Sequence, residues 1–317
     1  MKTPIAEVRR MHRMSDLTNP EEGTVMWSPM KSLWFFGHLG IAVIGGAITL
    51  GQMPVLLSGV LTVLTLCLGH TVGLHRLLIH RSFECPRWLE RLLVYLGTLV
   101  GMGGPFGMIY LHEIRDWAQR QGRCHPFFIH QTGLWRDAWW NLHCEIRLKH
   151  APRLEIEPEV ARDPFYRLLQ STWMLQQVPP ALLLHYFGGW PWVVWGISVR
   201  IVLSLTGHWL VGHLAHNCGH RDWHLEGHAV QGYNLPRLGL LTMGECWHNN
   251  HHAYPKSARL GLSKGQMDPG WWFIALLRRI GLAWNVQLPE TLPPRPERVP
   301  IARKRPARRV SACFDLL

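Results

Sequence analysis

Two apolar stretches, residues 33 to 50 and 54 to 74, follow each other with only Gly51, Gln52 and Met53 between them. Each comes close to the ~20 residues that a helix needs to cross a bilayer core. So short a connection leaves the two no arrangement but an antiparallel pair. A second pair lies at about 172 to 187 and 190 to 211, joined around Gly188 and Gly189. Both connections lack Lys and Arg, whereas Arg9, Arg10, Arg13, Arg76, Arg81 and Arg87 flank the opposite ends. That asymmetry marks the cytoplasmic side of a membrane protein and argues against buried helices of a soluble core. Four crossings with both termini cytoplasmic are expected, in a bacterial inner membrane. The 17 tryptophans fit residence at membrane boundaries. A mean hydropathy of -0.01 calls for a polar half as well as a membrane half.

A fifth apolar stretch, 92 to 111, contains Gly101-Met102-Gly103-Gly104-Pro105. A crossing there would carry the basic segment 115 to 170 to the far side, so it reads as a re-entrant or surface helix. The expected architecture is an all-α integral membrane protein with a cytoplasmic segment at 1–32 and a membrane domain at 33–289. A helical cap comes from 112–171 and 212–289, and 290–317 reads as a basic, poorly ordered tail. The net charge of +12 includes the run Arg303-Lys304-Arg305 and Arg308-Arg309. Juxtamembrane charge of this kind suits lipid headgroups and acyl-CoA phosphates better than nucleic acid. The seven cysteines, Cys67, Cys85, Cys124, Cys144, Cys218, Cys246 and Cys313, form no C-x-x-C pair, so neither a zinc finger nor a secreted disulfide framework is indicated. Residues 1 to 30 lack the apolar core of a signal peptide.

The histidines carry the chemistry. In G-E-C-W-H-N-N-H-H-A-Y-P, residues 244 to 255, helical spacing puts His248, His251 and His252 on one face. A solvated polar turn is the plain alternative, but neutral imidazole is the commonest metal ligand, and imidazoles clustered without a metal repel once protonated. The second span ends in His70, His75 and His80. His75 and His80 are about 140° apart on an ideal helix, so they converge only if the site sits between faces or the helix end is distorted. The fourth span runs into His213, His216 and His220. Four antiparallel spans bring these groups to one face of the membrane, and there are more histidines than the four ligands of a structural zinc. Imidazole softness alone does not choose the metal.

H-R-L-L-I-H (75 to 80) and H-N-N-H-H (248 to 252) resemble the first and third histidine boxes of the membrane fatty acyl desaturases, the acyl-CoA desaturases in particular. A-H-x-x-G-x-R (215 to 221) and P-x-S-A-R-L-G-L (255 to 262) extend the resemblance over about residues 33 to 285. It implies two non-haem iron ions that use O2 to take hydrogens from an acyl chain held between the helices. Carried over by position, it implies that His75, His80, His216, His248, His251 and His252 are metal ligands. The second box departs from the pattern: D-W-A-Q-R-Q-G-R-C-H (116 to 125) aligns only His125 with a family histidine and puts Gln121 and Cys124 at two others. His112 and Asp116 on the preceding helix, or His213 one turn from His216, are candidates to restore the ligand count. Asp116 serves equally as a carboxylate that orients a histidine, and Cys124 reads as packing.

An altered ligand set leaves open an oxidative decarboxylase making 1-alkenes or an acyl or alkane hydroxylase as well as a desaturase. A non-enzymatic metal or haem membrane protein would place its ligands nearer the bilayer midplane. With no H-P-G-G haem motif and no nicotinamide fingerprint, electrons are expected from an external redox protein, a ferredoxin, rubredoxin or cytochrome with its reductase. The substrate is a long acyl chain on CoA, acyl carrier protein, a lipid or a free acid.

Overall fold

The computed structural model describes residues 9–302. The first eight residues and the basic run at 303–309 lie outside the described residues. Among those described, three helices are long and apolar enough to cross a membrane: α1 (Pro29–Ile48), α2 (Gln52–Ile79) and α7 (Leu175–Asn217). Only Thr49, Leu50 and Gly51 connect α1 to α2. α7 is broken at Gly189, whose φ of 64° and ψ of -162° no helix accommodates. The chain doubles back there, since a Cβ on Gly196 would stand 2.6 Å from Leu184 Cδ1. These helices turn large apolar side chains outward, with Ile48 79% and Tyr186 82% exposed. A soluble protein does not leave so continuous an apolar surface uncovered.

The stretch 92–111 is two helices rather than one: α3 (Arg87–Leu99) and α4 (Pro105–Gln119). Gly101 and Gly103 take positive φ between them, and Pro105 opens α4. The C-terminal end of α3 is held by Arg200, which is buried and donates to the Leu99 carbonyl together with Gln177 Nε2. A buried cation is tolerable there because a helix C-terminus carries partial negative charge. α3 also lies hard against α2, where a Cβ on Gly69 would fall 2.3 Å from the Leu96 carbonyl carbon and one on Gly73 would fall 2.4 Å from Leu93 O. Small residues one turn apart are what allow two backbones to approach so closely. Gly73→Leu should therefore destabilise the fold by about 3 kcal/mol, because neither backbone can yield. Thermal unfolding in detergent checks this, and an unchanged melting temperature would show that α3 does not depend on that seat.

The polar half carries α5 (Leu134–His143), α6 (Pro164–Thr172), α8 (His248–Ala253) and α9 (Pro269–Arg279). It is not purely helical. Three two-stranded antiparallel ribbons pair β1 (Met11–His12) with β4 (Arg153–Leu154), β2 (Gly23–Trp27) with β3 (Cys144–Leu148), and β5 (Trp223–Leu225) with β6 (Arg298–Pro300). The last pair corrects the reading of 290–317 as a loose tail, as far as residue 302. Arg295 donates to the carbonyls of His252 and Ala253, and the Arg298 guanidinium stacks 3.9 Å from the centre of the Tyr254 ring. Pro and Arg content suggested disorder, but here the arginines cap the end of α8.

Candidate metal centre

α2 changes pitch before it ends. From Leu64 to Ile79 its hydrogen bonds run from i to i+5, and the His80 N–H donates to the His75 carbonyl at 3.0 Å. Such widened turns concentrate at functional sites. In this one, residues five apart share a face, which is the distortion that His75 and His80 need in order to converge. Their ring centres are 4.8 Å apart. His70 falls on the same face, 6.3 Å from His75, but its ring packs against His208 at 4.8 Å and it joins neither cluster described next.

Two histidine clusters form. One gathers His75, His80, His112 and His251, and the other His216, His248 and His252, with the candidate ligand atoms of each cluster within 4.8 Å of one another. α8 supplies both. His248 and His252, four residues apart, face one cluster, while His251 faces the other. The third box therefore spans two sites instead of converging on one atom. With His251 only 3% exposed, a solvated turn is ruled out. Between these histidines, Asn249 and Asn250 turn the other way. Asn249 Oδ1 accepts from the Asp222 and Trp223 N–H groups, and Asn250 Nδ2 donates to Leu260 O and Gln266 Oε1. The order H-N-N-H-H thus puts imidazoles on the site face and amides on the face that anchors the helix.

His112 enters the four-histidine cluster from α4, with its ring 5.0 Å from His75 and 4.7 Å from His80. His125 does not: its Nδ1 accepts from the Phe127 N–H at 3.2 Å and its ring lies 6.1 Å from Trp140. Gln121 also stands outside both clusters and donates to the Trp117 carbonyl, while Cys124 packs against the apolar core around Trp117. Of the residues around the second box, the structure brings His112 to the cluster and leaves His125 and Gln121 outside it. α4 reaches the centre one turn earlier, because by residue 120 the helix has ended and the chain has turned away. His213 is likewise no member of either cluster. Its Nδ1 lies 3.0 Å from Asp137 Oδ2. Asp137, fully buried, also accepts from His130, Trp209 Nε1 and Asn141. The other ring nitrogen of His130 meets Arg115, and its ring stacks on His216 at 5.0 Å.

The nitrogens are suited to a metal. His80 Nε2, His112 Nδ1 and His251 Nδ1 are buried without a hydrogen-bond partner, a costly condition that a bound cation would relieve. His75 Nδ1 is likewise without a hydrogen-bond partner of good geometry, although Glu245 Oε2 lies 2.8 Å away as a charge partner for the ring. Burial would raise the pKa of Glu245, but His75 and Arg76 beside it outweigh that and hold it below the usual carboxylate range. Burial, with its histidine neighbours, holds His251 well below 6.5. Desolvation brings His112 and His252 down to about 4, partly offset by Asp116. Neutral imidazole is the ligating form.

These depressed values set an acid limit. Between about pH 6.5 and 4 the unfolded chain binds protons that the folded one refuses, so stability of the metal-free protein falls as pH drops through that window. His112 and His252 each contribute about 3 kcal/mol to the loss. Unfolding midpoints of metal-stripped protein at pH 7.5, 5.5 and 4.5 should descend. A flat series would show that water already reaches these rings.

Sequence reasoning missed Asp137, His130 and Glu245. Glu245 had a signal, three residues before His248 in the quoted motif. Asp137 and His130 had none, since they lie just beyond the second box and outside every quoted motif.

Fold and site together define a helical protein with membrane-length apolar helices and a buried, paired histidine centre fit for metal. No protein-family model matches the chain. Curated relatives do. The chain is 38% identical over 221 residues to the sn-1 stearoyl-lipid 9-desaturase of Anabaena variabilis, covering 70% of this chain and 79% of that one. It is 35% identical to the sn-2 palmitoyl-lipid 9-desaturase of Nostoc sp. (strain 36), covering 69% and 76%. It is 32% identical to the acyl-CoA C20 Delta5-desaturase of Anemone leveillei, covering 71% and 70%. The chain belongs to the membrane fatty acyl desaturase family and is an oxidoreductase of that family.

Proposed function

We propose that this chain crosses the membrane four times, with its histidine clusters on the cytoplasmic side, and inserts a double bond into a long acyl chain at a two-iron centre. The observation that carries this reading is the pair of adjacent clusters sharing α8 at the inner ends of α2 and α7. The break at Gly189 supports the fourth crossing, because the two limbs of α7 run back along each other. His75, His80, His112 and His251 would hold one iron, and His216, His248 and His252 the other. Bound there, the irons supply the O2 chemistry that removes hydrogens from an unactivated carbon. The chain's own residues do the rest. Glu245 keeps His75 in place, Asp137 through His130 supports His216, and the apolar faces of α2 and α7 give an acyl chain a water-free surface to lie against. A lipid-linked acyl group is the favoured substrate, by analogy with the first two relatives. Electrons would come from an external redox protein.

The test is a mass-spectrometric profile of lipids and headspace hydrocarbons from cells expressing the chain. A new double bond in the acyl chains is expected. A hydrocarbon one carbon shorter, with the acyl chains unchanged, would overturn desaturation in favour of decarboxylation.

A further inference from the structure

α9 has two unlike sides. One buries Ile274 and Leu277 in an apolar cluster shared with Val72 and Leu77 of α2 and with Leu89 and Leu93 of α3. The other turns Trp272, Leu276 and Ile280, each four residues from the next, outward at 51, 53 and 58% exposure. We propose that this outward face is an anchor in the cytoplasmic leaflet, and that Arg278 and Arg279 at its end hold anionic lipid headgroups. The proposal rests on the membrane-spanning reading of α1, α2 and α7. Depth carries it. A Cβ on Gly270 would stand 2.6 Å from Thr71 Cγ2, and Trp271 packs with Leu68 against the shared cluster, so α9 meets the last third of the membrane-length helix α2. About one turn deeper on α2, Val63 and Leu64 are also turned outward, 48 and 40% exposed. The stripe on α9 therefore lies at the inner boundary of the lipid-facing surface and continues it. Beyond the other end of α9, the backbones of Glu84 and Trp284 bond to each other in both directions, which brings up the start of α3, with Trp284 43% and Trp88 60% exposed. Tryptophan gathers where apolar and wet surfaces meet. The exposed side chains of Arg278 and Arg279 have no ion pair or hydrogen bond among the described residues. A helix with an aromatic and aliphatic stripe and unpaired arginines suits the headgroup plane, where each arginine gives a ~fivefold preference for anionic lipid. The anchor also bears on the metal centre, because Asp268 accepts from the Trp271 N–H at the start of α9 and pairs with Arg76 of the first box.

Photo-crosslinking of the full-length protein in nanodiscs tests this without depending on turnover. One variant carries Leu276→benzoylphenylalanine, and a second carries the same probe at Leu56, 62% exposed on α2, as the control for a lipid-facing span. Both positions are exposed, so the fold should carry the probe. In discs of phosphatidylcholine with about one-third phosphatidylglycerol, both variants should yield lipid adducts by mass spectrometry. At position 276 the ratio of phosphatidylglycerol to phosphatidylcholine adducts should exceed the ratio in the disc by ~fivefold or more. Adding Arg278→Gln and Arg279→Gln should remove that excess and keep the adducts. Arg147→Gln with Lys149→Gln, an equal loss of charge at β3, should leave the excess in place. Lipid adducts at 56 but none at 276, or a crosslinked dimer of the chain at 276, would overturn the anchor while leaving the membrane-spanning reading standing. No excess, or an excess that survives the two glutamines at 278 and 279, would overturn the role of the arginines. So would an excess that the changes at β3 remove. No lipid adduct at either position would remove the membrane-spanning reading and the anchor with it.

Discussion

His251→Ala should abolish double-bond formation, lowering turnover by about 1000-fold or more, or ~4 kcal/mol of barrier. Its ring lies 4.7 and 4.8 Å from His75 and His80, and 5.7 and 5.9 Å from His248 and His252. It therefore stands at the seam between the clusters, and its removal opens the four-histidine site on the side facing the other. Its backbone N–H bonds to Trp247 O and does not depend on the side chain, so α8 should survive. The check is iron per chain together with the acyl product profile of the variant. Retention of more than about a tenth of wild-type turnover would remove His251 from the centre, since a ligand loss of this kind is not absorbed.

The second large effect belongs to a residue outside both histidine clusters. Asp268→Ala should destabilise the protein by about 3–5 kcal/mol. Arg76, inside the first box, is 1% exposed, and its NH2 group meets Asp268 Oδ1 at 2.8 Å. The other oxygen of Asp268 accepts from the N–H groups of Leu260 and Gly261, and Arg76 also donates to the Ala258 carbonyl. The motif S-A-R-L-G-L thus owes its place to a buried ion pair that ties it to the end of α2. Removing the carboxylate leaves the guanidinium with the Ala258 carbonyl and the more distant Glu245, 3.7 Å away, in a site closed by Gly244 and Gly270, either of whose Cβ atoms would come within 3.0 Å of Arg76. The measurement is thermal unfolding of Asp268→Ala against Asp268→Asn, which keeps part of the hydrogen bonding and should lose less. Equal stability of Asp268→Ala and wild type would mean that water compensates the charge.

Arg10 and Arg76 also qualify the charge argument for topology. Both counted as basic flanks of the spans, yet both are buried. Arg10 binds Glu157, Glu113 and the carbonyls of Leu78 and Ile79, holding the end of α2 just before His80. Arg9, Arg13, Arg81 and Arg87 keep at least part of their surface in water, so the asymmetry persists with fewer charges than the count implied.

Apolar runs of membrane length, Gly-centred reversals and the first and third histidine boxes were legible from residue order alone. They depend on local quantities: the length of an apolar helix, the conformational freedom of glycine, and the reach of imidazoles three and four apart on one turn. Family membership followed from the same residues in the same order. The division of the histidines into two clusters was decided by the tertiary structure. The angular spacing of His248, His251 and His252 says they share a face, but which partner each meets depends on how α2, α4 and α7 pack around α8. Residue order alone does not choose between His112 and His125 for the same reason, since it is the packing of α4 against α2 that puts the His112 ring beside His75 and His80. The widened turns of α2 show the limit most clearly. A regular helix would hold His75 and His80 apart, and it is the seating of Gly69 and Gly73 on α3, with Arg10 and Arg76 anchoring the helix end, that holds the pitch at which the two rings meet.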